Sequence, residues 1–192
     1  IVDRRIRPDS LLVGDRNALI IAIRKSGYGT DYNTQLTCPS CATAQDKSFD
    51  LNDFSVYHGD KIDQLKILDQ HDGTFLTELP KTKIKVRFQL LTGRHENDLA
   101  AGMNHDRKKN QTERIITRQL RSMIVSVNDN SSAEVVNYLI ENIPSMDSRH
   151  LRLAYKLSAP NIDLTQHFIC NECDYEQDLE VPLTADFFWP DR

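Results

Sequence analysis

All four cysteines of the chain fall into two pairs of identical spacing, Cys38-Pro39-Ser40-Cys41 and Cys170-Asn171-Glu172-Cys173. A C-x-x-C turn directs two thiolates at one point. Two such turns supply the tetrahedral four-sulfur set that zinc accepts, with Zn–S of about 2.3 Å. Protein sulfur would fill every position of that set, leaving no place for water or substrate. The expectation is therefore one structural Zn2+ per chain, held by Cys38, Cys41, Cys170 and Cys173. A pair of disulfides or a redox-active pair are the competing uses of these residues. Redox chemistry needs a C-x-x-C at a helix start inside a βαβ pattern, and neither pair here opens a helical pattern.

The elements that must position the thiols also repeat. Counted from the second cysteine of each pair, Gln45 matches Gln177, Asp46 matches Asp178, Phe49 matches Val181 and Leu51 matches Leu183. Leu36-Thr37 and Phe168-Ile169 lead into the two turns. Each half reads as strand, cysteine turn, strand, and the halves are expected to face each other across the metal. The predicted fold class is α+β, a four-cysteine zinc ribbon made by the two chain ends with a large inserted β-hairpin and helical subdomain. The expected divisions are an N-terminal arm and helix at 1–33, a split ribbon at 34–57 and 163–192, and an insertion at 58–162. Closing so long a loop costs about 4–5 kcal/mol of chain entropy, against about 10–16 kcal/mol for structural zinc, so the metal wins.

Within these divisions the periodicity assigns further elements. A helix capped by Asp15 runs through Ala18, Leu19, Ile21, Ala22 and Ile23 to a C-terminal Gly27, and its apolar middle predicts burial and a joint between ribbon and core. Lys47 to Leu51 and Phe54 to Tyr57 read as strands, whereas Lys61 to Leu68 has no clean period. Phe75 to Leu79 and Lys83 to Leu91 form a hairpin around Pro80-Lys81-Thr82, with Ile84, Val86, Phe88 and Leu90 on one face. Helices follow from Thr92 past Met103, from about Thr112 to Met123, from a Ser131/Glu134 capping box to Pro144, and from Asp147 to Leu157.

Composition bounds the function. The chain has 192 residues, 39% hydrophobic and 27% charged, with net charge −4. That describes a globular protein with room for one good core and a smaller subdomain. No apolar run is long enough to span a membrane. The acidic balance, with a pI near 5.9, argues against a dedicated nucleic-acid binder. Thiols suited to zinc favour assembly in a reducing cytoplasm.

Several blocks, taken in order, resemble the T-even-type phage baseplate hub proteins, also described as hub assembly proteins. They are Gly14-Asp15-Arg16-Asn17-Ala18-Leu19 through Ser26-Gly27-Tyr28-Gly29, Cys38-Pro39-Ser40-Cys41, Asp147-Ser148-Arg149-His150-Leu151-Arg152 with Tyr155, Pro160-Asn161-Ile162-Asp163, the second cysteine turn, and Phe187-Phe188-Trp189-Pro190. The blocks cover both ends of the chain well and Lys61 to Asn130 poorly. The resemblance implies a tail-assembly component of a contractile-tailed phage, made in the host cytoplasm and placed at the virion tail baseplate. It implies work through contacts with other hub and tail proteins, with no small-molecule substrate.

Catalytic motifs are weak. His95 precedes Glu96, but no second histidine stands at the H-E-x-x-H spacing, and exposed helix histidines are the expected reading. Asp69, Asp72 and Glu78 read as a hydrated loop, and no phosphate-binding or nucleophile-elbow motif is present. The alternative function is a zinc-ribbon nucleic-acid-binding protein, carried by Arg114, Arg118 and Arg121 on one helix face below Arg107, Lys108 and Lys109. For partner contacts, Arg149 and Arg152 share a helix face away from Leu151. Phe187, Phe188 and Trp189 cannot all face inward from one strand, which makes the tail a candidate docking element.

Overall fold

The computed structural model describes residues 7–108, 115–182 and 187, and of 105–108 the backbone alone. In chain order its elements are α1 (Val13–Tyr28), β1 (Asp31–Thr37), β2 (Ala44–Asp50), β3 (Ser55–Tyr57), β4 (Leu68–Asp69), β5 (Thr74–Glu78), β6 (Lys85–Gln89), α2 (Gly93–Lys108), α3 (Ile115–Met123), β7 (Ile124–Val127), α4 (Ala133–Asn142), α5 (Ser145–Ser158), β8 (Asn161–Asp163), β9 (Thr165–Ile169) and β10 (Glu176–Glu180). The fold is mixed α+β. Two compact units divide the chain: Ile1–Arg16 with His58–Pro160, and Asn17–Tyr57 with Asn161–Arg192. No helix among the described residues is long and apolar enough to cross a membrane.

The first unit is built on an antiparallel sheet in the order β4-β5-β6-β7. Alternation along β6 drives Val86 and Phe88 to full burial, as its period of two requires. They join Leu120 and Met123 of α3, Leu139 of α4, and Leu151 and Ala154 of α5 in one core. The hairpin turn after β5 is held from α5: Asp147 accepts the Lys81 and Thr82 N–H groups at 2.8 and 3.1 Å. Burial by itself raises the Asp147 carboxyl, but those bonds outweigh it, and the group titrates below its ordinary value. One turn along, His150 Nε2 lies 3.0 Å from the Thr77 hydroxyl, and burial pushes its pKa down.

Two readings of this unit change, and one strand is added to it. The cap of α4 is Ser132 rather than Ser131, its hydroxyl accepting the Val135 N–H, because Asn130 binds the Ser132 N–H and sets the turn one residue later. His95 is not a free surface histidine. Its Nδ1 accepts the Thr92 N–H at 3.1 Å, so it serves α2 as the glutamate of a capping box would. Strand β7 follows α3 directly and carries no turn residue to announce it.

The second unit contains three two-stranded antiparallel pairs, β1-β2, β9-β10 and β3-β8. Its main core gathers Ile21, Tyr32, Leu51, Phe54, Ile162, Leu164, Val181 and Phe187. Helix α1 is longer than its pattern announced. It begins at Val13, so Asp15 sits inside the first turn, where it complements the helix dipole without capping. Gly27 is helical, and the left-handed C-terminal residue is Gly29, with φ of 82° and its N–H on the Lys25 carbonyl. Burial of the apolar run is one-sided: Ile21 is 4% exposed, while Leu19 and Ile23 are 47% and 58% exposed.

Candidate metal centre

The second unit carries two hairpins of the same design. In the first, β1 and β2 pair from Asp31↔Asp50 to Thr37↔Ala44, leaving Cys38 to Thr43 as the connecting turn. In the second, β9 and β10 pair from Thr165↔Glu180 to Ile169↔Glu176, leaving Cys170 to Tyr175. The turns match atom by atom. Cys38 N–H donates to Thr43 C=O and Cys170 N–H to Tyr175 C=O, both at 2.9 Å. The Ser40 N–H points at Cys38 Sγ (3.4 Å) and the Glu172 N–H at Cys170 Sγ (3.5 Å). Each turn closes through one left-handed residue, Ala42 at φ 59° and Asp174 at φ 53°. The internal repeat is thus a repeat of backbone geometry.

The hairpins bring the four sulfurs together. Cys38 Sγ lies 3.8 Å from Cys173 Sγ, Cys41 Sγ lies 3.7 Å from Cys170 Sγ, and all four are within 4.8 Å of one another. All four are free thiols, whereas a disulfide holds its sulfurs at about 2.05 Å. A tetrahedron with arms of about 2.3 Å has edges of about 3.8 Å, so the set fits a zinc-sized ion with thiolate ligands. Cys38 and Cys170 are buried with Leu36 and Phe168, and Phe49, Tyr175 and Leu179 pack around them. Cys41 and Cys173 form the exposed side.

Electrostatics in the cluster is divided. The Thr43 hydroxyl and N–H hold the Cys41 thiol down to about 6. At Cys173 the Tyr175 N–H pulls downward, but burial and the three neighbouring sulfurs push the thiol up to about 12. Four sulfurs this close cannot all ionise without a positive charge among them. A bound dication would supply that charge.

One buried polar side chain ties the hairpins together. Gln45 of β2 donates through Nε2 to the Ile169 carbonyl (3.1 Å) and accepts the Asn171 N–H through Oε1 (3.0 Å), spanning the entry to the second turn. Its repeat partner, Gln177, is exposed and, among the described residues, accepts only the nearby Tyr175 hydroxyl. Matched spacing identified both glutamines, but no sequence signal separates the buried one from the exposed one.

The family model described as T4 bacteriophage base plate protein matches residues 1–189. The chain belongs to this T4 base plate protein family. No curated protein and no solved structure matches it.

The remaining candidate residues of this T4 base plate family chain are dispersed. Arg149 and Arg152 are exposed on α5. Asp147, the acid on the same helix, is turned to the hairpin amides. Phe187 is fully buried, edge-on to Tyr32 at 4.9 Å and beneath Arg24 at 5.9 Å. A ring in that position packs the core, which corrects its reading as a docking anchor. Phe188 and Trp189 lie outside the described residues. Of the basic helix face, Arg114 also lies outside them, Arg118 packs across Gly102, and Arg121 donates to Asn137 at 2.9 Å. Asp69 and Asp72 accept the N–H groups of His71 and Thr74, as loop residues do.

Proposed function

We propose that this chain is a structural or assembly component of the baseplate hub of a contractile-tailed phage. It acts through contacts with other hub and tail proteins, and one structural zinc holds its second unit together. The observation that carries this reading is a closed four-thiol site inside a chain of the T4 base plate protein family. Cys38, Cys41, Cys170 and Cys173 would hold the ion, which supplies cross-linking bond energy and charge neutralisation. With every ligand position taken by protein, the centre has no place to activate water or bind substrate, so the protein works as a scaffold and not as an enzyme. Arg149, Arg152, Phe188 and Trp189 are the residues proposed for partner contacts. The host cytoplasm is the place of assembly, and the tail baseplate the place of action.

Metal analysis and tail assembly test the proposal together. Purified protein is expected to contain one zinc per chain, and changing any one of the four cysteines to serine is expected to loosen the second unit. The same variants should fail to support tail assembly in phage lacking the native gene. Protein that carries almost no metal and two intact disulfides would overturn the zinc assignment. Tails that assemble normally without the chain would overturn the hub assignment.

A further inference from the structure

Residues at every second position of a strand share a face. On β10 those residues are Glu176, Asp178 and Glu180, all exposed, and Glu172 and Asp174 in the preceding turn are exposed as well. Their partners on β9 are Ile169, His167 and Thr165. Ile169 is half exposed, and His167 lies 3.0 Å from Glu176 and 3.1 Å from Asp178. One histidine among these carboxylates leaves the face anionic.

Helix α5 presents the opposite chemistry. Met146, Arg149, Arg152, Leu153 and Lys156 are exposed, three or four residues apart for the most part, and so form one stripe. The sole acid of α5, Asp147, is buried. Among the described residues, none of the three cations makes a side-chain hydrogen bond or an ion pair. The stripe from Met146 to Lys156 rises about 15 Å at 1.5 Å per residue. Glu176 to Glu180 covers about 14 Å at 3.4 Å per residue. Each face pairs like charges with apolar side chains, Ile169 on one and Met146 and Leu153 on the other, the mixture from which a desolvated contact with a charged rim is made.

We propose that the acidic face of β10 in one copy of this chain docks on the basic stripe of α5 in a second copy, joining copies head to tail. Cations collect on α5 although the chain as a whole carries a net charge of −4, so another copy is itself an acidic partner of matching length. Because the contact joins two different patches, each added copy leaves one of each free, and association builds a ring or an open chain of copies. The inference narrows the partner proposed for Arg149 and Arg152 to a second copy of this chain, and it does not depend on the hub assignment.

Charge reversal tests it in the full-length protein. One variant carries Arg149→Glu and Arg152→Glu; the other carries Glu176→Lys and Asp178→Lys. All four positions are exposed, and metal content and melting temperature report whether each variant folds. Sedimentation in low-salt buffer is expected to show oligomers of the wild type that dissociate as salt is raised. Each variant alone is expected to be monomeric, since it sets like charges against each other. An equimolar mixture of the two is expected to regain the oligomer, because every contact in it again joins opposite charges. A monomeric wild type would overturn the proposal. So would variants that are monomeric alone and in the mixture, an outcome assigning these faces to other proteins.

Discussion

Gln45 and Gln177 occupy the same place in the two hairpins and have different work. Gln45 is buried and makes two hydrogen bonds to the opposite hairpin, so Gln45→Ala leaves the Asn171 N–H and the Ile169 carbonyl without partners. The expected cost is about 1–3 kcal/mol, with a matching loss of zinc in competition with a chelator. Gln177→Ala is expected to change neither. Asp147 and His150 give this chain a pH dependence whose sign follows from their shifts. His150 has a lowered pKa when folded, so its contribution is whole above its unfolded value of about 6.5 and is lost as pH falls through the folded value. Asp147 is also lowered; its contribution is present above about 3.9 and is lost as pH falls through its own folded value. Thermal melts against pH should therefore decline in two steps on acidification. His150→Gln should reduce the first step, which Cys41 shares, and leave the second.

Helix α1 separates what a sequence pattern can and cannot say. Ile21→Asp would bury an unpaired charge among Tyr32, Leu51 and Phe187, and is expected to cost about 3 kcal/mol or more. Ile23→Asp, two residues on, is exposed and is expected to stay within about 0.5 kcal/mol. Urea unfolding of the two variants measures both. An unbroken run of apolar residues carries no phase, so the run announced a helix without saying which side is covered. Where a pattern alternates, as in β6, both the element and its inward face were legible. The cysteine hairpins were legible for a related reason, since spacing repeated twice constrains both halves. Strand β7 was not, because α3 passes into it with no glycine, proline or aspartate between Met123 and Ile124. The buried place of Phe187 also escaped the sequence. A rule about neighbours on one strand does not apply to a segment that leaves the strand after Glu180.

The two units keep separate cores, one on the β4-β5-β6-β7 sheet and one around Tyr32 and the cysteine hairpins. Chelation should therefore act on one unit only. With zinc removed, amide exchange is expected to speed up in β1, β2, β9 and β10 by the largest factors, while β5, β6 and α5 keep their protection. Uniform loss of protection across both units would show that the core of the first unit depends on the metal. Hydrogen exchange followed by mass spectrometry distinguishes the outcomes peptide by peptide.

The order in which the two cysteine turns leave the ribosome has a consequence for synthesis. Cys38 and Cys41 emerge early, and Cys170 and Cys173 follow only after the whole of His58–Pro160 has been made, on the order of ten seconds later at ordinary elongation rates. Throughout that interval the nascent chain holds half a ligand set, which binds a dication weakly and exchanges it freely. The tight site exists only in a chain translated through Cys173. With the proposed zinc, metal retention would mark a chain translated through Cys173, and a chain that stops short of it would lack the tight site.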